Sequence, residues 1–391
     1  MKDKARLRAV FALVAVLTLI ASACGDSSEE TTAPTAAATT QAPATTQAPA
    51  TTQAPATTQA PATTAAPDFG AADFNGDGKV LIAMASTGPR DDGAYNEALV
   101  TELERIATEG GYEDILVVDE IDPADGRAEL DNIVAQNPDI VALVSSVLAD
   151  GNEDIFLEHE EIFWYCNCGS GYQDVPGLLR STDSGGELSI SGGYATGLLM
   201  QEAGGDSAVF IGCCDLGFEV ESFNAWVLGL QKVDESFTAT YVPTGTFPFD
   251  FANTAGATEA YNTAVAEGAD AIYPFLDGAH EAIVQLANED GLIVMTAGQS
   301  NGCERDDLDY SLEIKFDAGD YIVDIFDEIL SGALEEGGAR KFTVGVDPQV
   351  GGELCNGTAE QVQMLEDFNQ RVGAGEFGEE LFAIAADAYG F

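Results

Sequence analysis

The chain has 391 residues, with 67 Asp and Glu against 15 Lys and Arg and a formal charge of -52, so nucleic acid and anionic lipid surfaces are repelled and excluded as partners. Its length exceeds one ordinary domain. The charge leaves two readings open, a cationic ligand or partner and a heavily hydrated surface suited to salty surroundings.

At the N-terminus Lys2, Lys4, Arg6 and Arg8 precede an apolar run from Ala9 to Ile20, and the small residues Ala21, Ser22 and Ala23 lead into Cys24. This pattern predicts a signal peptide over 1–23, with the Cys24 thiol as the site of lipidation; ordinary cleavage at the same bond is the alternative. Both place the protein outside the cytoplasm. Residues 24–72 are dominated by Thr, Ala, Gln and Pro, with TTQAPA repeated four times between Thr39 and Ala62. Such a segment has nothing to bury and is expected to be a solvated tether, about 40 residues of extended backbone reaching on the order of 120 Å at about 3.1 Å each. The membrane is then met through the anchor alone.

In the globular part, DFNGDGKV imitates an EF-hand start through Asp73, Asn75, Asp77 and Gly78, but the twelfth position is Met84 and the segment reads as a turn. KVLIAMAS predicts a buried strand, and a helix follows with Leu99, Leu103 and Ile106 on one face, stopped at Gly110 and Gly111. Between them lies GPRDDGAYNEALV, where Asp92 is a favoured N-cap and Glu97 sets negative charge in the first turn. DILVVDE, a helix through Leu130, Ile133 and Val134, DIVALVSS, a short acidic helix and EIFWYCN continue the alternation. A long helix from about Glu187 to Glu202 opens a second series: SAVFIGC, a helix through Phe223, Trp226, Val227 and Leu230, TATYVP, a helix through Tyr261 and Val265, DAIYPF, a helix through Ile283 and Leu286, and LIVMTA.

Continuous apolar strands alternating with amphipathic helices predict an α/β fold of two Rossmann-like lobes with parallel sheets joined by a hinge. The lobes are expected over 73–182 and 183–300, with 301–391 crossing the hinge and completing both. YSLEIKF alternates, with Leu312, Ile314 and Phe316 opposite Ser311, Glu313 and Lys315, and should be a strand near the hinge. RKFTVGV and a helix near Val362 to Val372 close the chain. Ligands in such sheets bind beyond the carboxyl ends of the strands, which aims the loop at 88–96 toward the crevice.

Setting Cys24 aside leaves Cys166, Cys168, Cys213, Cys214, Cys303 and Cys355. An even number in an exported protein argues for disulfides, and the absence of C-x-x-C spacing, with His159 and His280 remote from any cysteine, argues against a metal site. A bridge from Cys166 or Cys168 to Cys213 or Cys214 across the lobes, with Cys303 tied to Cys355, is one of the pairings allowed.

DDGAYNEA resembles the D-D-x-S-F-N signature of the basic membrane protein family, the purine nucleoside receptor lipoproteins that feed ABC transporters, and NPDIVALVSS, EIFWYCN, SGGYATGLLM, AVAEGADAIYPF and SLEIKFD follow in that family's order. The resemblance implies a periplasmic-binding-protein-like fold of type I, no catalysis, no cofactor, a monomer, and delivery of a small-molecule ligand to an ABC permease. It assigns Tyr95 to the stacking aromatic, Asn96 to the amide that reads the purine edge, Asp92 to the cleft, Phe247 to a second stacking aromatic with Phe249 an alternative, and Lys315 to the cleft lysine. Two positions depart from the family: Asn167 stands where an aspartate ends the EIFWYCN strand, and Gly298 where another holds the ribose. Ribose preference is therefore open, as are a base, a modified nucleoside or another flat polar metabolite. An enzyme is disfavoured, because neither histidine adjoins a nucleophile pattern and G-x-S-x-G is absent. A surface sensor of a sugar or signalling metabolite without transport is the rival function.

Overall fold

The computed structural model describes residues 69–169, 173–245 and 250–391; the expectations for the signal segment, Cys24, the tether up to residue 68 and Phe247 fall outside these. The first lobe runs through β1 (Ile82–Ala85), α1 (Tyr95–Gly110), β2 (Leu116–Val118), α2 (Gly126–Val134), β3 (Ile140–Leu143), α3 (Ser146–Ala149), α4 (Asp154–Glu158), β4 (Phe163–Asn167) and β5 (Leu178–Thr182). The second comprises α5 (Gly185–Ala203), β6 (Ser207–Gly212), α6 (Gly217–Val233), β7 (Thr238–Pro243), α7 (Thr254–Glu267), β8 (Ala271–Pro274), α8 (His280–Asp290) and β9 (Ile293–Val294). After these come β10 (Leu312–Phe316), α9 (Ala318–Leu330), β11 (Ala339–Lys341), β12 (Val350–Leu354), α10 (Ala359–Gly373) and α11 (Gly378–Tyr389).

The sheets are ordered β11-β5-β4-β3-β1-β2 and β7-β6-β8-β9, all neighbours parallel, and β10 pairs antiparallel with β12. β1, β3 and β4 are buried along their whole length, as strands covered on both faces by helices must be. The chain passes between the lobes at β5 into α5, again through β10 into α9, which packs on α1, and finally from β11 to β12. On β10 Leu312 and Ile314 enter the second lobe's core as the alternation predicts, while Glu313 on the opposite face is also buried and accepts the Cys303 N–H at 2.7 Å.

Helices α5 and α6 meet backbone to backbone. A Cβ at Gly193 would lie 2.0 Å from the Trp226 carbonyl oxygen, and one at Gly229 would lie 2.2 Å from that of Ile190, so neither position accepts a side chain.

The Cys166, Cys168, Cys213 and Cys214 thiols do not cross the lobes. Cys166 bonds Cys168, with Cα atoms 5.1 Å apart, and Cys213 bonds its neighbour Cys214. Each thiol's partner is local because the two pairs end strands in different sheets. Cys303 and Cys355 are joined, with Cα atoms 4.9 Å apart, tying the segment before β10 to the end of β12. In the EF-hand look-alike the Asp73 carboxylate accepts the N–H groups of Asp77 and Gly78 at 3.0 and 2.9 Å, so this segment is a turn closed by its own side chain. Among the described residues no group of His, Cys, Asp and Glu is arranged to hold a metal ion, and no helix is long and apolar enough to cross a membrane.

Candidate functional site

The loop after β1 is organised by Asp92. Its carboxylate accepts the N–H groups of Ala94, Asn96 and Glu97 at 2.8, 2.9 and 3.0 Å, and the Asn96 amide at 2.6 Å. The N-cap position itself belongs to Ala94, so Asp92 caps α1 from two residues upstream. Asn96 is buried, and its Oδ1 accepts the Ser86 hydroxyl at 2.7 Å while its Nδ2 serves Asp92. Both side chains therefore hold the loop together. Tyr95, between them in sequence, faces the other way: its ring lies 6.1 Å from that of Phe316 on β10. It keeps accessible surface although burial, and then the nearby Asp183, Tyr165 and Asp317, raises its hydroxyl pKa well above the ordinary value. It stands half-buried where the loop after β1 meets β10, the place that the gap between the lobes occupies in this fold.

Phe316 continues the aromatic wall to Phe275, after β8, at 6.1 Å, and Phe275 lies 6.2 Å from Phe218 at the start of α6. Gly298 makes room for this wall. Its φ is +101°, and a Cβ there would come within 2.8 Å of the Phe316 ring, so the ribose-binding aspartate of the resembled family has no place at this position while Phe316 stays.

The polar side of the gap is formed at the carboxyl ends of β4 and β5. Strand alternation puts Asn167 on the same face as Tyr165 and one step nearer that end, beside Ser181 of β5. Tyr165 and Ser181 share a 2.7 Å hydrogen bond, whereas Asn167, 1% exposed, has neither Nδ2 nor Oδ1 bonded to any described residue. A buried, unbonded amide is costly, about 1–3 kcal/mol, and points to an absent partner. Asp183 follows β5 and accepts the Tyr321 hydroxyl at 2.8 Å; burial raises its pKa to about 6, with Glu187 and Glu221 adding to the rise. Asp317 follows β10, caps α9 through the Gly319 and Asp320 N–H groups at 2.8 and 3.3 Å, and is likewise raised to about 6, by burial first and then by Asp320.

The lobes touch at the rim. Gln299 of the second lobe donates to the Gly93 carbonyl of the first. Asp277, at the end of β8, approaches the same loop: a Cβ at Gly88 would lie 3.0 Å from Asp277 Oδ2 and 2.6 Å from Asn96 Nδ2. Burial and then the hydrogen bond and charge of Asp92 push Asp277 up to about 9. Burial also pushes Asp92 up, but the hydrogen bond from Asp277 and those from Glu97, Asn96 and Ala94 leave it below the ordinary value. The ionised Asp92 on one lobe thus opposes ionisation of Asp277 on the other.

Of the residues singled out in the sequence, the structure leaves the Tyr95 ring half-buried near Phe316 and the Asn167 amide buried and unbonded among the described residues, and uses Asp92 and Asn96 to shape the loop. Lys315 donates to Glu353 at 2.7 Å on the strand face opposite Phe316. Asp183, Asp317, Phe275, Asp277 and Gln299 were not singled out. Asp183 and Asp317 carried a positional signal, each directly following a strand and preceding a helix, but β5, with Arg180 in its middle, lacks a continuous apolar run. A hollow of about 490 Å³ lined by Leu199, Glu202, Asn288, Asp309 and Asn356 shares no residue with this gap.

No family model and no curated protein matches the sequence. Solved structures do resemble the chain in fold. An ABC transporter solute-binding protein from Conexibacter woesei is 18% identical with a TM-score of 0.59, covering 76% of this chain and 97% of its own. One from Aeropyrum pernix is 13% identical at 0.62, covering 79% and 99%. A transcriptional activator of the comK gene from Bacillus halodurans is 15% identical at 0.56, covering 75% and 96%. With two parallel α/β lobes and a three-pass hinge, the chain has the fold of the type I periplasmic binding proteins.

Proposed function

We propose that the protein is an extracytoplasmic, lipid-anchored solute receptor that serves an ABC importer and takes a purine nucleoside, base or related flat polar metabolite into the gap between its lobes. The observation that carries this reading is Asn167, a buried amide at the carboxyl end of β4 with both polar atoms unbonded among the described residues. Tyr95, Phe316 and Phe275 form one aromatic group whose open faces offer stacking to a ring, at about 1–3 kcal/mol per stacked base. Asn167 supplies one acceptor and two donors to its edge. Phe247 belongs to this reading on the strength of the family resemblance alone, and Lys315 would join only by leaving Glu353. The basic and apolar N-terminal run ending at Cys24 supports export and anchoring, and the fold shared with solute-binding proteins of importers supports delivery to a permease.

A thermal-shift screen of bases, nucleosides and small sugars tests the reading. In the expected outcome at least one flat heterocycle stabilises the protein, and Tyr95→Ala loses that stabilisation while the ligand-free melting temperature is kept. Stabilisation that survives Tyr95→Ala removes the ring from the site.

A further inference from the structure

We infer that the ligand bears a positive charge: the gap is a site for a flat organic cation, with Asp183 after β5 and Asp317 after β10 as its counter-charges. The inference deepens the proposed function and rests on it. Around the gap the structure gathers three aromatic rings, one unbonded amide and two carboxylates, and among the described residues the neighbouring cations already have acidic partners. Lys315 is taken by Glu353, Arg305 by Glu281 and Asp307, and Lys341 by Glu187. Of these Lys341 acts on Asp183, yet less strongly than Glu187 and Glu221, which oppose it. The stretches 170–172 and 246–249, outside the described residues, contain neither Lys nor Arg.

Asp183 follows the end of β5, whose Ser181 pairs with Asn167, and Asp317 follows Phe316, whose ring lies 6.1 Å from that of Tyr95, so both carboxylates border this group of residues and repel an anion. After burial, both act to raise the Tyr95 hydroxyl pKa. A positive group over the face of Tyr95, Phe316 or Phe275 is attracted by the ring quadrupole and at the same time neutralises the carboxylates. Asn167 Oδ1 accepts one N–H of such a group, so the unbonded amide and the unbalanced charge have one explanation. An overall charge of -52 raises the local concentration of cations at the mouth of the gap.

Calorimetry on the full chain with two matched pairs of probes decides the matter: adenosine against its ring-N-methylated cation, and nicotinamide against N-methylnicotinamide. The expected result is that in at least one pair the cation binds about tenfold or more tightly than its uncharged parent. Asp183→Asn with Asp317→Asn should bring that ratio to about one, since an amide at 183 still accepts the Tyr321 hydroxyl and one at 317 still caps α9. Equal or tighter binding of the uncharged member in both pairs overturns the inference and leaves the proposed function standing. If no probe binds and the thermal-shift screen is also silent, both fall. A tenfold preference that survives the double substitution overturns the assignment to these two carboxylates.

Discussion

At the residue scale Asn167 carries an unusual liability. It is fully enclosed, both polar atoms lack a described partner, and its neighbours Tyr165 and Ser181 satisfy each other. Replacing it with an apolar residue of similar size removes the desolvation penalty instead of adding one. Asn167→Leu is therefore expected to leave the ligand-free protein as stable or up to about 2 kcal/mol more stable by denaturant unfolding, while ligand-induced stabilisation is lost. A structural role for the amide would give the opposite sign. Here the sequence was informative in an unexpected way. Asn167 was marked by its difference from the resembled pattern, and Gly298, marked in the same way, is where the Phe316 ring leaves no room for a side chain. What could not be read was that Asn96, the residue the pattern favoured, spends its amide on Ser86 and Asp92, because side-chain satisfaction depends on contacts that a single sequence does not display.

At the scale of elements, the strands legible in advance were those whose burial on both faces imposes a continuous apolar run, such as β1, β3, β4 and β6. β5 and β12 escaped because LLRST is interrupted by Arg180 and VGGEL by two glycines, and RKFTVGV meets β11 only at Arg340 and Lys341. The cysteine partners were legible only for Cys303 and Cys355. Helix packing follows a rule that composition does not reveal: α5 reads as a glycine-rich helix, and only the structure shows that Gly193 and Gly229 permit contact of two backbones. Gly193→Ala places a methyl against the Trp226 carbonyl, and the helices must separate to admit it. A loss of about 2–4 kcal/mol in unfolding free energy is expected, against the small gain an alanine brings to an isolated helix. Denaturant titration of the variant checks the sign.

At the scale of the whole molecule, the burial of Asp277 against the Asp92 loop links the contact of the lobes to pH. Asp277 is raised from 3.8 to about 9 where the lobes meet. Below pH 3.8 it is protonated in every state. Between there and about pH 9 only the separated or unfolded form ionises, so each rise in pH favours separation, and above about pH 9 the full penalty is present. Asp183 and Asp317 act with the same sign, but only up to about pH 6. The difference in melting temperature between wild type and Asp277→Asn should therefore widen steadily from about pH 4 to about pH 9 in favour of the variant. A constant difference would place Asp277 outside the contact.

The glycine seam between α5 and α6 also bears on motion. Two helices whose main chains interlock at Gly193 and Gly229 cannot slide along one another, so half of the clamshell swings as a single stiff lever. All bending is then left to the short passages of chain that join it to the other half, and one of these is fastened by the Cys303–Cys355 link. The stroke of the lever is fixed by those few peptide units, not by repacking of the layers they connect.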